Sequence, residues 1–175
     1  DGFAALQLPF VFLRVLAAVL LAVQLLLSAQ ASASPRIAVL EFTGPALPPS
    51  LLLLLSDQAR EGALESLGTG FLVLTRENMA EILSDSGMEL SCASGECEVE
   101  LARNIGADYV VSGSVTMVEG LHFLNLKLHE SAKGSLVSSR TSKASRGAEL
   151  VELARSESVE LLLPIAPAKV ERTVI

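Results

Sequence analysis

The stretch ARNIGADYVVSGSV, Ala102–Val115, constrains the fold of this chain more than any other. Just upstream, Cys97, Leu101 and Ile105 recur at four-residue spacing, which places them on one face of a helix from about Glu96 to Ile105. Glu96, Glu98 and Glu100 crowd its first turns, where the helix dipole favours anions. Gly106 fits the left-handed position after the last turn, which costs a residue with a Cβ more. The period then changes to two, with Tyr109, Val111, Val115 and Met117 facing one way and Ser112, Ser114 and Thr116 the other. A helix therefore passes through one glycine joint into a strand with one apolar face. Gly113 falls on that face, where a missing side chain lets a packed helix approach.

The flanking segments extend the pattern. Glu119-Gly120 makes a tight turn, and LHFLNLKLHE returns as a strand with Leu124, Leu126 and Leu128 on one side and Asn125, Lys127 and His129 on the other. Lys133-Gly134 marks a second turn into SLVSSRTSK, Ser135–Lys143, a polar strand suited to a sheet edge. Gly106, Gly113, Gly120 and Gly134 thus read as joints and turns. Upstream, RIAVLEF, Arg36–Phe42, is apolar at both parities, as in a strand covered on both sides; Ile37, Val39 and Glu41 alternate with Ala38, Leu40 and Phe42. Pro45, Pro48 and Pro49 then stop any strand or helix. From Leu51 to Leu67 a helix is predicted, with Leu52, Leu55, Ala59, Ala63 and Leu67 inward, Ser50 as N-cap and Gly68 and Gly70 at its end. Phe71–Thr75 is a short strand, and Thr75 caps a helix with Met79, Ile82 and Leu83 inward that closes at Ser84–Gly87. GAELVELARSESVELLL closes the fold as a helix burying Leu150, Leu153, Ala154 and Leu161, ended by Pro164 and Pro167. The order β-α-β-α-α-β-β-β-α predicts an α/β (α+β) fold, a mixed sheet with packed helices in one domain over residues 34–163, and a tail over 164–175.

The chain has 175 residues and a net charge of −7. With one Tyr, no Trp and no cluster of Lys and Arg, it is a poor nucleic-acid binder and has no polybasic stretch for an anionic lipid surface. Its mean hydropathy of +0.50 is concentrated in the first 33 residues and the run Leu51–Leu55. The first segment carries Arg14, the apolar run Val15–Leu27 and then Ala31-Ser32-Ala33, the pattern of a secretory signal cleaved after Ala33. The alternative is an uncleaved inner-membrane anchor, with membrane contact through this segment only. Cleavage implies an exported, periplasmic or secreted protein beginning near Ser34.

No catalytic, cofactor or metal site assembles from the residues. Cys92 and Cys97 are the only cysteines, and C-x4-C without a histidine pair is a poor zinc site. In an oxidising compartment a short disulfide between them is expected; a redox-active Cys97 at a helix start is the alternative, opposed by Glu96, Glu98 and Glu100. His122 and His129 fall on opposite faces of one strand and are read as solvated or rim residues. Ser112-Gly113-Ser114 lacks the G-x-S-x-G context of a nucleophile elbow, Gly68-Thr69-Gly70 has no phosphate-binding companion, and Glu41, at a strand end, has no identifiable acid/base partner. Five leucines in a row wrap past one helix face, so Leu51, Leu53 or Leu54 is exposed for a partner or covered by the proline-rich loop.

RIAVLEF, LTRENMAEIL at Leu74–Leu83, LARNIGADYVVSGSV at Leu101–Val115 and the hairpin LNLKLHESAKGSLV at Leu124–Val137 together resemble landmarks of the TolB amino-terminal domain and the curli-secretion protein CsgG. The resemblance covers most of residues 36–163. It implies a bacterial envelope protein that works by association, with lipoproteins, porin-like rings or peptidoglycan synthases, and without a catalytic site, a cofactor or a small-molecule substrate. The chain departs from the family in lacking the lipid-anchoring cysteine after the leader, and no propeller or long amphipathic hairpin follows. The expectation is a non-catalytic exported interaction domain whose partners are envelope proteins or further copies of itself, contacted through Leu51, Leu53 and Leu54 and through the edge strand at Ser135, Val137 and Ser139. The alternative is a structural subunit of an oligomeric secretion or surface-assembly complex; an exported hydrolase or thiol-redox enzyme is a third reading without assembled site residues.

Overall fold

The structure, a computed structural model, describes residues 34–85 and 95–167. They form β1 (Arg36–Val39), α1 (Pro49–Leu67), β2 (Leu72–Val73), α2 (Arg76–Asp85), α3 (Gly95–Asn104), β3 (Tyr109–Val118), β4 (Leu121–Glu130), β5 (Ser135–Ala144) and α4 (Leu150–Leu162). The order is the expected one. The sheet runs β2-β1-β3-β4-β5, with β1 parallel to β2 and β3 and the β3-β4-β5 meander antiparallel. It is the mixed sheet with packed helices that the sequence predicts.

Two cores flank β1. Ile37 and Val39 pack with α1, α4 and the apolar faces of β3 and β4, including Leu55, Ala59, Val111, Leu126 and Leu161. Ala38 and Leu40 pack on the other side with α2 and α3, against Met79, Leu83, Leu101, Ile105 and Val110. The doubly apolar strand is thus buried on both faces, as its lack of alternation requires. The alternation breaks after Leu40. Thr43 N–H donates to Gly113 O at 3.0 Å and Thr43 O accepts from Val115 N–H at 2.8 Å, so the chain still follows β3. Phe42, however, sides with Val39 in the first core rather than with Ala38 and Leu40.

Helix α1 buries Leu52, Leu55, Ala59, Ala63 and Leu67, the predicted stripe. It starts earlier than predicted. Pro48 is the N-cap and Pro49 is the first helical residue, so the proline pair opens the helix instead of blocking it, and Ser50 lies inside. Proline's fixed φ suits the first turn, and its missing N–H has no intrahelical partner there anyway. α1 crosses α4 closely at Gly62, where a Cβ would come within 2.5 Å of the Arg155 carbonyl oxygen. Ser158 Oγ donates to Ala59 O at 2.8 Å across the same crossing. Leu150, Ala154 and Leu161 are buried on α4, as expected, and Leu153 is half-buried.

At the joint, Gly106 has φ +66°, and Ala107 N–H donates back to Ala102 O at 2.9 Å, closing the last turn of α3. Asp108 then takes hold of β1: its N–H donates to Arg36 O at 2.8 Å, and its carboxylate accepts from Arg36 N–H at 2.7 Å. Both the N–H and the carboxylate of Asp108 are thus engaged in registering β3 on β1. Gly113 does face the apolar side, but the expected helix is not what approaches it. The Phe42 ring does, 2.5 Å from where a Cβ would stand.

Downstream, Glu119 and Gly120 both adopt positive φ, +50° and +79°, the two-residue turn that matches strand twist. Leu124, Leu126 and Leu128 are fully buried. The register of β4 and β5 shifts between Leu128 and His129, so that Leu128 pairs with Ser138 and His129 with Leu136.

Candidate functional site

Strand β5 lies at one edge of the sheet, and its ten residues present one side to β4 alone among the described strands. Its polarity makes this possible: serine, threonine, arginine and lysine tolerate water where a core strand would not. The stretch Ser131–Ala148, which contains β5, carries Lys133, Arg140, Lys143 and Arg146 and no acidic residue, in a chain with 20 acids. The helix side of β5 is tied down. Ser138 Oγ donates to Leu161 O at 2.7 Å, and Arg140 Nε donates to Glu157 at 2.9 Å, which holds the Arg140 guanidinium above its ordinary pKa. On the opposite face Thr141 bonds Asn125 at 3.0 Å, and Lys127 and Lys143 stand exposed.

The register shift sorts the expected contact residues. Ser135 and Ser139 are exposed, whereas Val137, the extra residue of the bulge, is half-buried against the first core. Leu136 takes the outward place, 54% exposed. Sequence alternation put Leu136 on the wrong parity, and no residue in Ser-Leu-Val-Ser-Ser announces a bulge. Of the leucine run, Leu54 is 42% exposed and Leu51 and Leu53 are half-buried. Leu51 packs toward Gly147, just past the end of β5, and Leu53 borders a hollow of about 230 Å³ with Glu41, Phe42, Pro49, Ser50 and Leu52. Ser138 bonds Leu161 near the end of α4, whereas Leu51 lies by Gly147 before its start, so the two expected surfaces sit toward opposite ends of that helix.

Two side-chain clusters escaped sequence reasoning. Glu41 is ion-paired, although not to an acid/base group. Arg76 reaches it at 3.3 Å and Asp57 at 2.9 Å, while Arg60 binds Asp57 at 2.6 Å and Val39 O at 2.9 Å. Both acids are matched by arginines, so the cluster clamps α1 and α2 to the end of β1 and leaves no free base. The second cluster joins α3, β3 and β4. Ser112 Oγ donates to Glu98 Oε2 at 2.8 Å, and His129 Nδ1 stands 4.0 Å from the same oxygen. The types suggest a hydrolase triad, but the connectivity does not. The serine proton is held by the carboxylate, and Ser112 lies within β3, between residues paired with β4, at 5% exposure. His122 and His129 fall at opposite parities of β4, and both are half-buried. Cys97 is half-buried on α3; Cys92 lies outside the described residues, as do Asp1–Ala33 and residues 168–175. Among the described residues no helix is long and apolar enough to cross a membrane.

No family model and no curated protein matches the chain. Solved structures do. The chain is similar to the LpoB C-terminal domain from Salmonella enterica at a TM-score of 0.51 and 16% identity, over 70% of this chain and 91% of that one. The LpoB C-terminal domain from Escherichia coli matches at 0.50 and 15%, over 72% and 93%. TolB from Acinetobacter baumannii matches at 0.47 and 16%, over 78% of this chain and 30% of that one, too loose a fit to carry weight. At such identities the likeness is one of fold.

Proposed function

We propose that this chain is a non-catalytic interaction domain exported to the bacterial cell envelope, and that β5 is the edge on which it receives an extended segment of a partner protein. The observation that carries the reading is the ten-residue edge strand without acidic residues, its outward Leu136, Ser139, Thr141 and Lys143 exposed, in a molecule of net charge −7. Backbone groups along such an edge supply affinity, and the side chains that flank it supply selection. The local sign favours an acidic strand. The fold shared with LpoB C-terminal domains supports an envelope setting. The leader Asp1–Ala33 is then a signal removed at export, and Cys92 and Cys97 close a disulfide that pins the loop before α3 to its first turn.

A photo-crosslinking residue at Ser139, tested in the native envelope, should give a discrete protein adduct that is lost when Lys143 becomes Glu; the same residue at Glu152, on the helix layer, should give none. Adducts at Glu152 and none at Ser139 would reverse the assignment. A second reading, a structural subunit of an oligomeric secretion or surface-assembly complex, draws on the exposure of Leu54. Light scattering on the purified protein separates the two, because a stable closed oligomer that Leu54→Ser dissolves supports the second. Intact-mass analysis of the exported form should begin at or beside Ser34.

A further inference from the structure

The two faces of the sheet are covered unequally. α1 and α4 lie against the face that carries Val111, Leu124, Leu126 and Leu128. On the opposite face α2 and α3 pack on Ala38, Leu40 and Val110, which belong to β1, its extension and the start of β3. From there to the β3-β4 turn, no helix among the described residues covers that second face. Lys127 of β4 and Lys143 of β5 stand exposed on it, Lys143 opposite Phe123 in the ladder. At the turn end, exposed Val118 pairs with half-buried Leu121. Glu98 borders the face but is bonded to Ser112. β4 is paired along its length with β3 and β5, so whatever docks here binds by side chains rather than by adding a strand.

The outer side of α4 is the complement of this face. Glu152, Ser156, Glu160 and Leu163 follow one another at spacings of four, four and three, and all are exposed. Glu157 and Arg155, on the same helix, are held by Arg140 and by Glu61 and Glu65. Glu152, Glu160, Lys127 and Lys143 belong to no ion pair among the described residues. The distances match as well as the signs. Eight residues of helix put the two free acids about 12 Å apart along the axis. Four residues along β4 and one strand across put the two lysines about 14 Å apart. Leu163 lies about 4.5 Å beyond Glu160, and Leu121 about 7 Å beyond Phe123, the partner of Lys143. Acid, acid and leucine thus meet lysine, lysine and an apolar end in the same order.

We propose that a second copy of this chain lays its α4 on the open sheet face, running against the direction of β4, with Glu152 on Lys127, Glu160 on Lys143 and Leu163 on Val118 and Leu121. The two surfaces lie on opposite layers of the molecule, so the contact is head-to-tail and each copy can give one surface and receive on the other. Neither the open edge of β5 nor Leu54 takes part, so the contact goes beyond both readings above. It rests on two exposed ion pairs and a small apolar end, which makes it weak and sensitive to salt. Replacing Glu152 alone by a residue without charge removes one of the two pairs and most of the association.

Analytical ultracentrifugation of the purified protein at low salt tests this. The mean mass should rise with concentration. The sheet-face variant Lys127→Glu with Lys143→Glu, and the helix variant Glu152→Lys with Glu160→Lys, should each associate with themselves at least about tenfold more weakly. Mixed together, the two variants should form a one-to-one pair and nothing larger, because the first keeps its acidic helix and the second its lysine face. That pairing also shows that both variants are folded. The quadruple variant, with both surfaces reversed, should associate as the unaltered chain does, and Leu54→Ser should change nothing. An unaltered chain that stays monomeric at every concentration overturns the proposal. So does association that survives in both charge-reversed variants, or a mixture of the two that stays monomeric. Association lost in Leu54→Ser alone moves the contact to the leucine run and overturns it too.

Discussion

The sheet has two halves built on different terms. In the parallel half, β1 and the start of β3 are covered on both faces, and residues of opposite parity are equally buried: Val39 beside Ala38, Val111 beside Val110. In the antiparallel half, β4 and β5 have helices α1 and α4 on one face only. Leu126 is buried there while its neighbour Lys127 is exposed. Parity should therefore decide the cost of a substitution in the second half and not in the first. Leu126→Ala should lose about 2–5 kcal/mol and Lys127→Ala stay within about 0.5 kcal/mol. Val110→Ala and Val111→Ala should both be costly, and similar to each other. Chemical denaturation of the four variants measures this, and a neutral Val110→Ala would erase the distinction.

This contrast also explains what could be read from residues alone. β4 was legible because one face meets water and the other leucine; helix α1 was legible because its stripe has the helical period. β1 was recognised as doubly covered because alternation was missing. What failed did so where a local exception overrides the period. The bulge at Val137 reverses the parity of Leu136, and the break after Leu40 moves Phe42 to the opposite core. Neither has a residue signature, since serine, valine and phenylalanine all tolerate regular strand. The clusters at Glu41 and Glu98 were illegible for another reason. Apart from Asp57 and Arg60, neighbours on α1, their members lie 14 to 35 residues apart and meet only when helices dock on the sheet. For the interaction surface, the edge position and polarity of β5 were legible, and which of its residues face outward was not.

The two halves are sewn together along β3, and Gly113 within it and Gly106 in the joint before it give the next largest effects. Gly113→Ala would drive a Cβ into the Phe42 ring, a clash expected to cost about 1–3 kcal/mol. Phe42→Leu in the same chain should recover part of that loss, and thermal denaturation of the double variant decides it. If the double variant is no more stable than Gly113→Ala alone, the Phe42 contact is not what excludes a side chain. Gly106→Ala meets no such crowding from the core but keeps φ at +66° and approaches Arg36 Nη1 at 2.9 Å, so about 1–2 kcal/mol is expected from the backbone strain. The flexible arginine can move aside; the positive φ cannot, and Gly106→Asn should therefore be milder than Gly106→Ala.

The smallest effect concerns acid, and here the halves should behave alike. Glu149, before α4, is held below its ordinary pKa of 4.5 chiefly by the Arg146 side chain, then by backbone N–H groups of Arg146 and Ser145. Glu77, in the first turn of α2, is lowered by its own backbone N–H and by the Thr75 hydroxyl. Thr75 Oγ1 also accepts from Asn78 N–H at 3.2 Å, which caps the helix as the sequence predicts. A carboxyl whose pKa is lower when folded stabilises the folded state in its charged form. That contribution is present above the unfolded value near 4.5 and fades as pH falls through the folded one. Both groups are exposed, so each share is small and is screened by salt. Melting temperatures followed from neutral pH to about pH 3 should fall below the unfolded carboxyl value, less steeply in Glu149→Gln and in Glu77→Gln. Because the two carboxyls cap helices on opposite faces of the sheet, the double variant should flatten the curve by the sum of the single effects. A double variant no flatter than either single one would mean that acid enters through one half first, and that the two faces do not unfold as independent neighbours of a shared sheet.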